Sequence, residues 1–264
     1  MSNTKKIFGL VGHPLGHSFS GKFFNEKFTR EGIDACYLNF DIPLATPLAI
    51  GIEQLLREHS QNLKGFNVTI PYKEEIMPLL DNVDREAAAI GAVNVVNVIR
   101  SPFDNRLTMH GFNTDHIGFA KSILPFLGPL HKNALVLGSG GASKAVCYAL
   151  RKLGIEPLIV SRTPASGQIS YSELTPEIME SHKVIVNCTP LGTFPHVETC
   201  PKIPFELIGR EHLCYDLVYN PAVTTFMQRV SERGACIING AEMLRIQALE
   251  AWKIWNNLTP DNKL

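Results

Sequence analysis

The chain has 264 residues, enough for one large domain or two ordinary ones with a substantial core, and too many for a minimal disulfide scaffold. Its 25 Lys and Arg balance 25 Asp and Glu, so the basic excess that captures nucleic acid or an anionic membrane is missing. With 45% hydrophobic and 19% charged residues, it has the composition of a chain that folds alone.

In chain order, strand-like patches at 6–12, 37–42, 64–70, 94–100 and 106–112 alternate with helical patterns at 20–31, 47–60, 73–80 and 84–92, which predicts an α/β unit. A more regular alternation follows: helix 115–126, strand 134–138, helix 141–153, strand 157–161, helix 172–181, strands 183–187 and 213–218, helix 222–233 and strand 235–238. Such a series predicts a doubly wound parallel sheet covered on both faces. A last amphipathic run, 241–256, spaces Leu244, Ala248, Ala251, Trp252 and Trp255 as a helix does and is expected to pack back across the first domain. The expected fold is thus two α/β domains, 1–114 plus 241–264 and 115–240.

The most specific local signal is an apolar strand running into Gly138-Ser139-Gly140-Gly141-Ala142 and then a helix. Gly138 and Gly140 permit a tight turn and close approach to a pyrophosphate, whose charge is met by amides at the helix N-terminus. Ser143 stands where G-x-G-x-x-G has its third glycine. An NAD site would carry Asp or Glu at the end of the next strand. That strand instead ends in Ser161-Arg162-Thr163, where an arginine and two hydroxyls suit a 2′-phosphate, so NADP is favoured over NAD. The alternative is that Arg162 only opens a solvated loop.

In the first half, alternation along 66–70 sends Asn67 and Thr69 to one face and Phe66, Val68 and Ile70 to the other, ahead of Pro71-Tyr72-Lys73. Lys73 is either a solvated charge at a helix start or a group projecting beside those polar side chains. Asp115, after Asn113-Thr114, either caps a helix or, at a hinge between two facing domains, meets Lys73 and sets its protonation. Ser18 and Ser20 either cap the following helix or bind a carboxylate as neutral donors. His13 and His17 are separated by Pro14 and Gly16, which forbid a helical metal pair, so no metal is expected. The six cysteines form no C-x-x-C pair and read as buried free thiols. Neither a secretory signal nor a run of about 18 apolar residues is present, which predicts a soluble cytoplasmic protein.

Taken in order, these residues resemble the shikimate dehydrogenase family through nearly the whole chain. Ser18-Phe-Ser20 resembles its S-x-S carboxylate clamp, and Asn67-Val-Thr69-Ile-Pro71-Tyr-Lys73 its N-V-T-x-P-x-K motif. Gly91-Ala-Val-Asn94, Asn113-Thr114-Asp115, the glycine turn, Ser161-Arg162-Thr163, Asn187-Cys-Thr189-Pro190, Asp216-Leu-Val-Tyr219 and Met243-Leu-Arg-Ile-Gln247 follow in the family's order. The resemblance implies an N-terminal substrate domain completed by the C-terminal helix, a Rossmann-like NADP domain, and reversible reduction of 3-dehydroshikimate to shikimate in the route to aromatic amino acids. It makes Lys73 the acid-base group and Asp115 its partner. Ser18, Ser20, Asn67, Thr69, Asn94, Tyr219 and Gln247 would surround the substrate. The glycine turn and 161–163 would hold the cofactor phosphates, with Thr189, Leu217 and Gly240 along the nicotinamide.

The chain departs from the family at Gly21 and Phe24, at Ser161, at Ser166 where a second cation is common, and at Thr193-Phe194. The rival reading is a quinate dehydrogenase of the same fold with NAD; the two serines favour shikimate. A silent dinucleotide sensor would be expected to lose Lys73 or Asp115, and both are present. A monomer or homodimer acting on a small molecule, without nucleic acid or membrane, is expected.

Overall fold

Val11, Phe66, Val68, Val96, Val98 and Met109 form one buried cluster, and Phe8, Leu10, Ala35, Tyr37 and Val95 another. Residues alternating between two clusters along the same strands require cover on both faces of a sheet. In the computed structural model, which describes residues 5–16 and 19–257, these residues lie on β1 (Lys6–Gly12), β2 (Ala35–Asp41), β3 (Leu63–Val68), β5 (Val95–Arg100) and β6 (Leu107–Phe112). With the short β4 (Asn82–Val83) they form a six-stranded sheet of order β2-β1-β3-β5-β6-β4. β1 runs parallel to β2 and β3, and β5 antiparallel to β3 and β6.

Helices α2 (Leu48–Glu58) and α3 (Arg85–Ile90) cover one face through Leu48, Ile52, Leu55 and Ala87. The other is covered by Phe24 and Phe28 of α1 (Phe19–Glu31) and by Ala248, Ala251, Ile254 and Trp255 of α8 (Ala241–Trp255). Trp255 donates its indole N–H to Val96 O at 3.0 Å and packs 4.9 Å from the Phe8 ring.

The second sheet is fully parallel, of order β11-β10-β9-β7-β8, with β7 (Asn133–Leu137), β8 (Glu156–Val160), β9 (Val184–Asn187), β10 (Leu213–Asp216) and β11 (Cys236–Asn239). Ala134, Val136, Val184, Val186, Leu213 and Tyr215 meet α4 (Asp115–Ile123), α5 (Gly141–Lys152) and Met243 of α8. Leu135, Leu137, Ile185 and Cys214 meet α6 (Pro176–Ser181) and α7 (Thr225–Ser231). This is the doubly wound arrangement that the alternation predicts.

The chain divides into two units, one running to Thr114 and resuming at Ala248, the other spanning Asp115–Gln247. The second boundary falls inside α8 rather than at its start. The reason is packing: Met243 belongs to the core of the parallel sheet, Ala248 and Ala251 to that of the six-stranded sheet.

Other departures are local. The helix expected over 73–80 is a series of turns ending in a single 3-10 turn, Met77–Leu79, because Pro78 lacks the N–H that would continue an α-helix. The helix expected over 172–181 begins only at Pro176, which suits a first helical position, after Thr175 caps the Ile178 amide. The helix expected from 222 starts at Thr225, behind the Thr224 cap. Ile70 lies past the end of β3 and is exposed instead of joining Phe66 and Val68. All six cysteines are free, but only Cys147 and Cys214 are buried. Among the described residues no helix is long and apolar enough to cross a membrane.

Candidate active site

In the first unit a chain of buried polar side chains threads the residues singled out for substrate binding. The Asn67 amide donates to Asn94 O at 3.1 Å, which turns its own carbonyl oxygen toward Tyr37, and the Tyr37 phenol donates to that oxygen at 2.8 Å. Tyr37 has then spent its one proton, so its hydrogen bond with Ser20 runs from the serine hydroxyl to the phenol oxygen. Burial pushes the Tyr37 phenol well above its ordinary range, which keeps it a donor. Ser20 can therefore offer its proton to a carboxylate only by turning away from Tyr37.

Beyond Asn94 the chain continues into the 113–115 segment. Asn94 Oδ1 accepts from the Thr114 amide at 2.7 Å and its amide nitrogen donates to Thr114 Oγ1 at 3.1 Å, while Asn113 donates to Ala92 O at 2.9 Å. Asp115, 5% exposed, is the first residue of α4, where a carboxylate is favoured by the helix dipole. Tyr37 is not among the expected site residues; the sequence offers for it only a hydroxyl within a strand-like run.

Two backbone anchors fix the segment that carries Lys73. The Tyr72 phenol donates to Ile42 O at 2.6 Å, and Lys73 O accepts from the Val93 amide at 2.7 Å, one residue from Asn94. Lys73 is half-buried, and Thr69 sits just past β3 with its amide bonded to Val11 O. Asp41 accepts from the Leu15 amide at 2.9 Å and pairs with His13, tying down the loop after β1. The His13 ring, and then the Leu15 amide, hold the Asp41 carboxyl below its ordinary range. Ser18 lies outside the described residues.

In the second unit the cofactor candidates gather at the C-terminal ends of the parallel strands. In sheets of this strand order, ligands bind at the switch point between the first and third strands, here β7 and β9. Gly138, with φ +104°, makes the turn after β7 and opposes Thr189 at the end of β9. Gly140 caps α5, whose first residue is Gly141, so that the amides of 141 and Ala142 open the helix. Ser143 is buried and donates back to Gly140 O at 2.6 Å, a tie that no glycine supplies.

Ser139 and Ser161 share a hydrogen bond of 3.3 Å, and Ser161 Oγ also accepts from the Thr163 amide. Ser161 is thus buried and supports the loop, whereas Arg162 and Thr163 are exposed. Gly240 lies against the Leu217 carbonyl, which a β-carbon there would strike. Tyr219 is partly exposed, and Gln247, buried on α8, donates to Leu244 O at 3.1 Å. Both belong to the second unit, whereas Ser20, Asn67, Thr69 and Asn94 belong to the first. Among the described residues no three His, Cys, Asp or Glu side chains are grouped to hold a metal.

Comparison with known proteins identifies the family. The profile of the shikimate dehydrogenase substrate binding domain matches residues 10–96. The chain is 35% identical to a shikimate dehydrogenase (NADP(+)) of Methanococcus aeolicus, over 99% of this chain and 96% of that protein. It is similar to the crystal structure of shikimate dehydrogenase from Aquifex aeolicus, with a TM-score of 0.83 and 35% identity, covering 97% of this chain and 94% of that one. Shikimate 5-dehydrogenase from Thermus thermophilus, solved in complex with NADP(H) and shikimate, matches with a TM-score of 0.80 and 33% identity over 97% of this chain and 95% of that one. At this identity over nearly the full length, the chain belongs to the shikimate dehydrogenase family.

Proposed function

We propose that the protein interconverts 3-dehydroshikimate and shikimate with NADP as cofactor, in the route to aromatic amino acids. The observation that carries the reading is the buried polar chain from Ser20 through Tyr37, Asn67 and Asn94 to Thr114, with the Lys73 backbone bonded to the neighbour of Asn94. Buried polar groups are costly unless paired, and a paired set holds its members in fixed orientations, as a preorganised binding site requires.

When bound, NADPH would supply the hydride that the ketone carbon takes up. Negative charge then grows on the ketone oxygen; the Lys73 ammonium stabilises it and delivers the proton, and in the reverse direction the neutral amine takes the hydroxyl proton. Asp115 holds a substrate hydroxyl. Ser18 and Ser20 bind the carboxylate, and Asn67, Thr69, Asn94, Tyr219 and Gln247 orient the ring. The residues present fit the cofactor: the glycine turn exposes amides at the start of α5, and exposed Arg162 with Thr163 suits the 2′-phosphate. Thr189, Leu217 and Gly240 border the nicotinamide. The unit ending at Thr114 carries Lys73 and most of the substrate residues, and the unit that follows carries the cofactor residues together with Asp115, Tyr219 and Gln247. We place the protein in the cytoplasm as a monomer or homodimer acting on a small molecule.

The test is turnover of the purified protein, followed by absorbance of the reduced cofactor, with shikimate or quinate and with NADP or NAD. Fastest turnover with shikimate and NADP together supports the reading. No turnover with shikimate, or faster turnover with quinate, overturns it.

A further inference from the structure

Asp216 ends β10 and is wholly buried, paired in register with Asn187 at the end of β9. Its carboxylate accepts three hydrogen bonds: from the Asn187 amide at 2.9 Å, the Val218 N–H at 3.1 Å and the Thr224 hydroxyl at 2.6 Å. An ionised carboxylate only accepts, so the Asn187 amino group must face it. The Asn187 oxygen is thereby turned the other way, where it takes the Thr189 amide at 3.0 Å and the Thr189 hydroxyl at 2.6 Å. The Asp216 carboxylate on one side and the Thr189 N–H on the other together fix which way the Asn187 amide faces.

We propose that Asp216 is a positioning residue for the cofactor site: through Asn187 it holds Thr189, and through the Val218 amide it holds the segment carrying Leu217 and Tyr219. The proposal rests on the reading of Thr189 and Leu217 as the nicotinamide border. It also assigns a polarity. The Thr189 proton is committed to Asn187 and one lone pair of its oxygen takes the Leu191 amide at 3.4 Å, so one lone pair is left for a ligand, and the group that suits it is a donor such as the amino group of a carboxamide. A neutral apolar side chain at 216 leaves the Asn187 amino group and the Val218 N–H without their acceptor, so only the Thr189 N–H still holds the Asn187 amide in place. Asparagine at 216 preserves it, since its oxygen serves Asn187 and Val218 while its amino group faces Thr224 Oγ1, which accepts.

The experiment measures NADP affinity by calorimetry, with KM and kcat alongside, for the full-length wild type, Asp216→Asn, Asp216→Leu, Asn187→Leu and Thr224→Val. Asp216→Leu and Asn187→Leu are expected to weaken NADP binding by about tenfold or more with a smaller change in shikimate KM. Asp216→Asn is expected to recover most of the affinity. Thr224→Val breaks one bond to the same carboxylate and uncaps α7, so it lowers the melting temperature, but it leaves the Asn187 arm intact and NADP affinity within about twofold. If Asp216→Leu does not fold, Asn187→Leu carries the comparison. NADP affinity unchanged in the leucine variants, or lowered as much by Thr224→Val, overturns the proposal. Failure of the wild type itself to bind NADP removes the cofactor reading and the proposal with it, whereas binding without shikimate turnover strikes only the reaction.

Discussion

Replacing Asp216 by Asn isolates a titration that the fold makes expensive. Burial pushes the Asp216 carboxyl from 3.8 up to about 6, against the opposing pull of the Thr224, Val218 and Asn187 donors. The folded state therefore binds the proton more tightly than the unfolded chain. The stabilisation from this proton is fully present below pH 3.8 and is lost as the pH rises through about 6. At about 1.36 kcal/mol per decade, the full swing is about 3 kcal/mol, of which about 1.4 kcal/mol falls between about pH 7 and pH 5. Asn cannot ionise yet fills the same space, so the assay is urea unfolding of wild type and Asp216→Asn at several pH values across that interval. Other carboxylates titrate alike in both proteins and cancel in the difference. Wild type should gain about 1.4 kcal/mol on the variant as the pH falls from about 7 to about 5, a relative rise of about 3–6 °C in melting temperature. A difference that stays flat, or runs the other way, refutes the reasoning.

Tyr37→Phe removes the phenol that joins Ser20 to Asn67 while keeping the ring stacked 4.9 Å from Phe24. Leaving the buried Asn67 oxygen unpaired costs about 1–3 kcal/mol, so the variant should melt lower and show shikimate KM raised about tenfold, with NADP KM unmoved; thermal melts and initial rates check both. If Arg162 meets the 2′-phosphate as proposed, Arg162→Ala should raise NADP KM by about tenfold to a hundredfold and leave NAD KM nearly unchanged, because only NADP carries that phosphate. Parallel initial-rate series with the two cofactors measure this.

Much of the architecture was legible because periodicity reports burial directly. The alternation of strand-like and helix-like segments in the second half predicts the parallel sheet, and the glycine turn falls between β7 and α5 as its strand-turn-helix pattern implies. The polar residues Asn67, Asn94 and Thr114 were visible as motif members, but their mutual hydrogen bonds were not, since they join residues 20 to 30 positions apart in sequence. Asp216 and Asn187 stood inside quoted motifs without a role. Only the register of β9 against β10 brings them together, and register between parallel strands joined by a long connection leaves no local trace. The boundary inside α8 escaped for a similar reason: one continuous helical pattern contributes Met243 to one core and Ala248 to the other.

The most direct test of the central claim is Lys73→Ala, with shikimate affinity measured separately from turnover under saturating NADP. A group that exchanges the proton in the reaction contributes about 10²–10⁴ to the rate. The account predicts kcat lower by that factor with shikimate affinity changed only a few-fold. A variant that turns over at the wild-type rate once saturated, with only KM raised, would make Lys73 a binding residue and contradict the account.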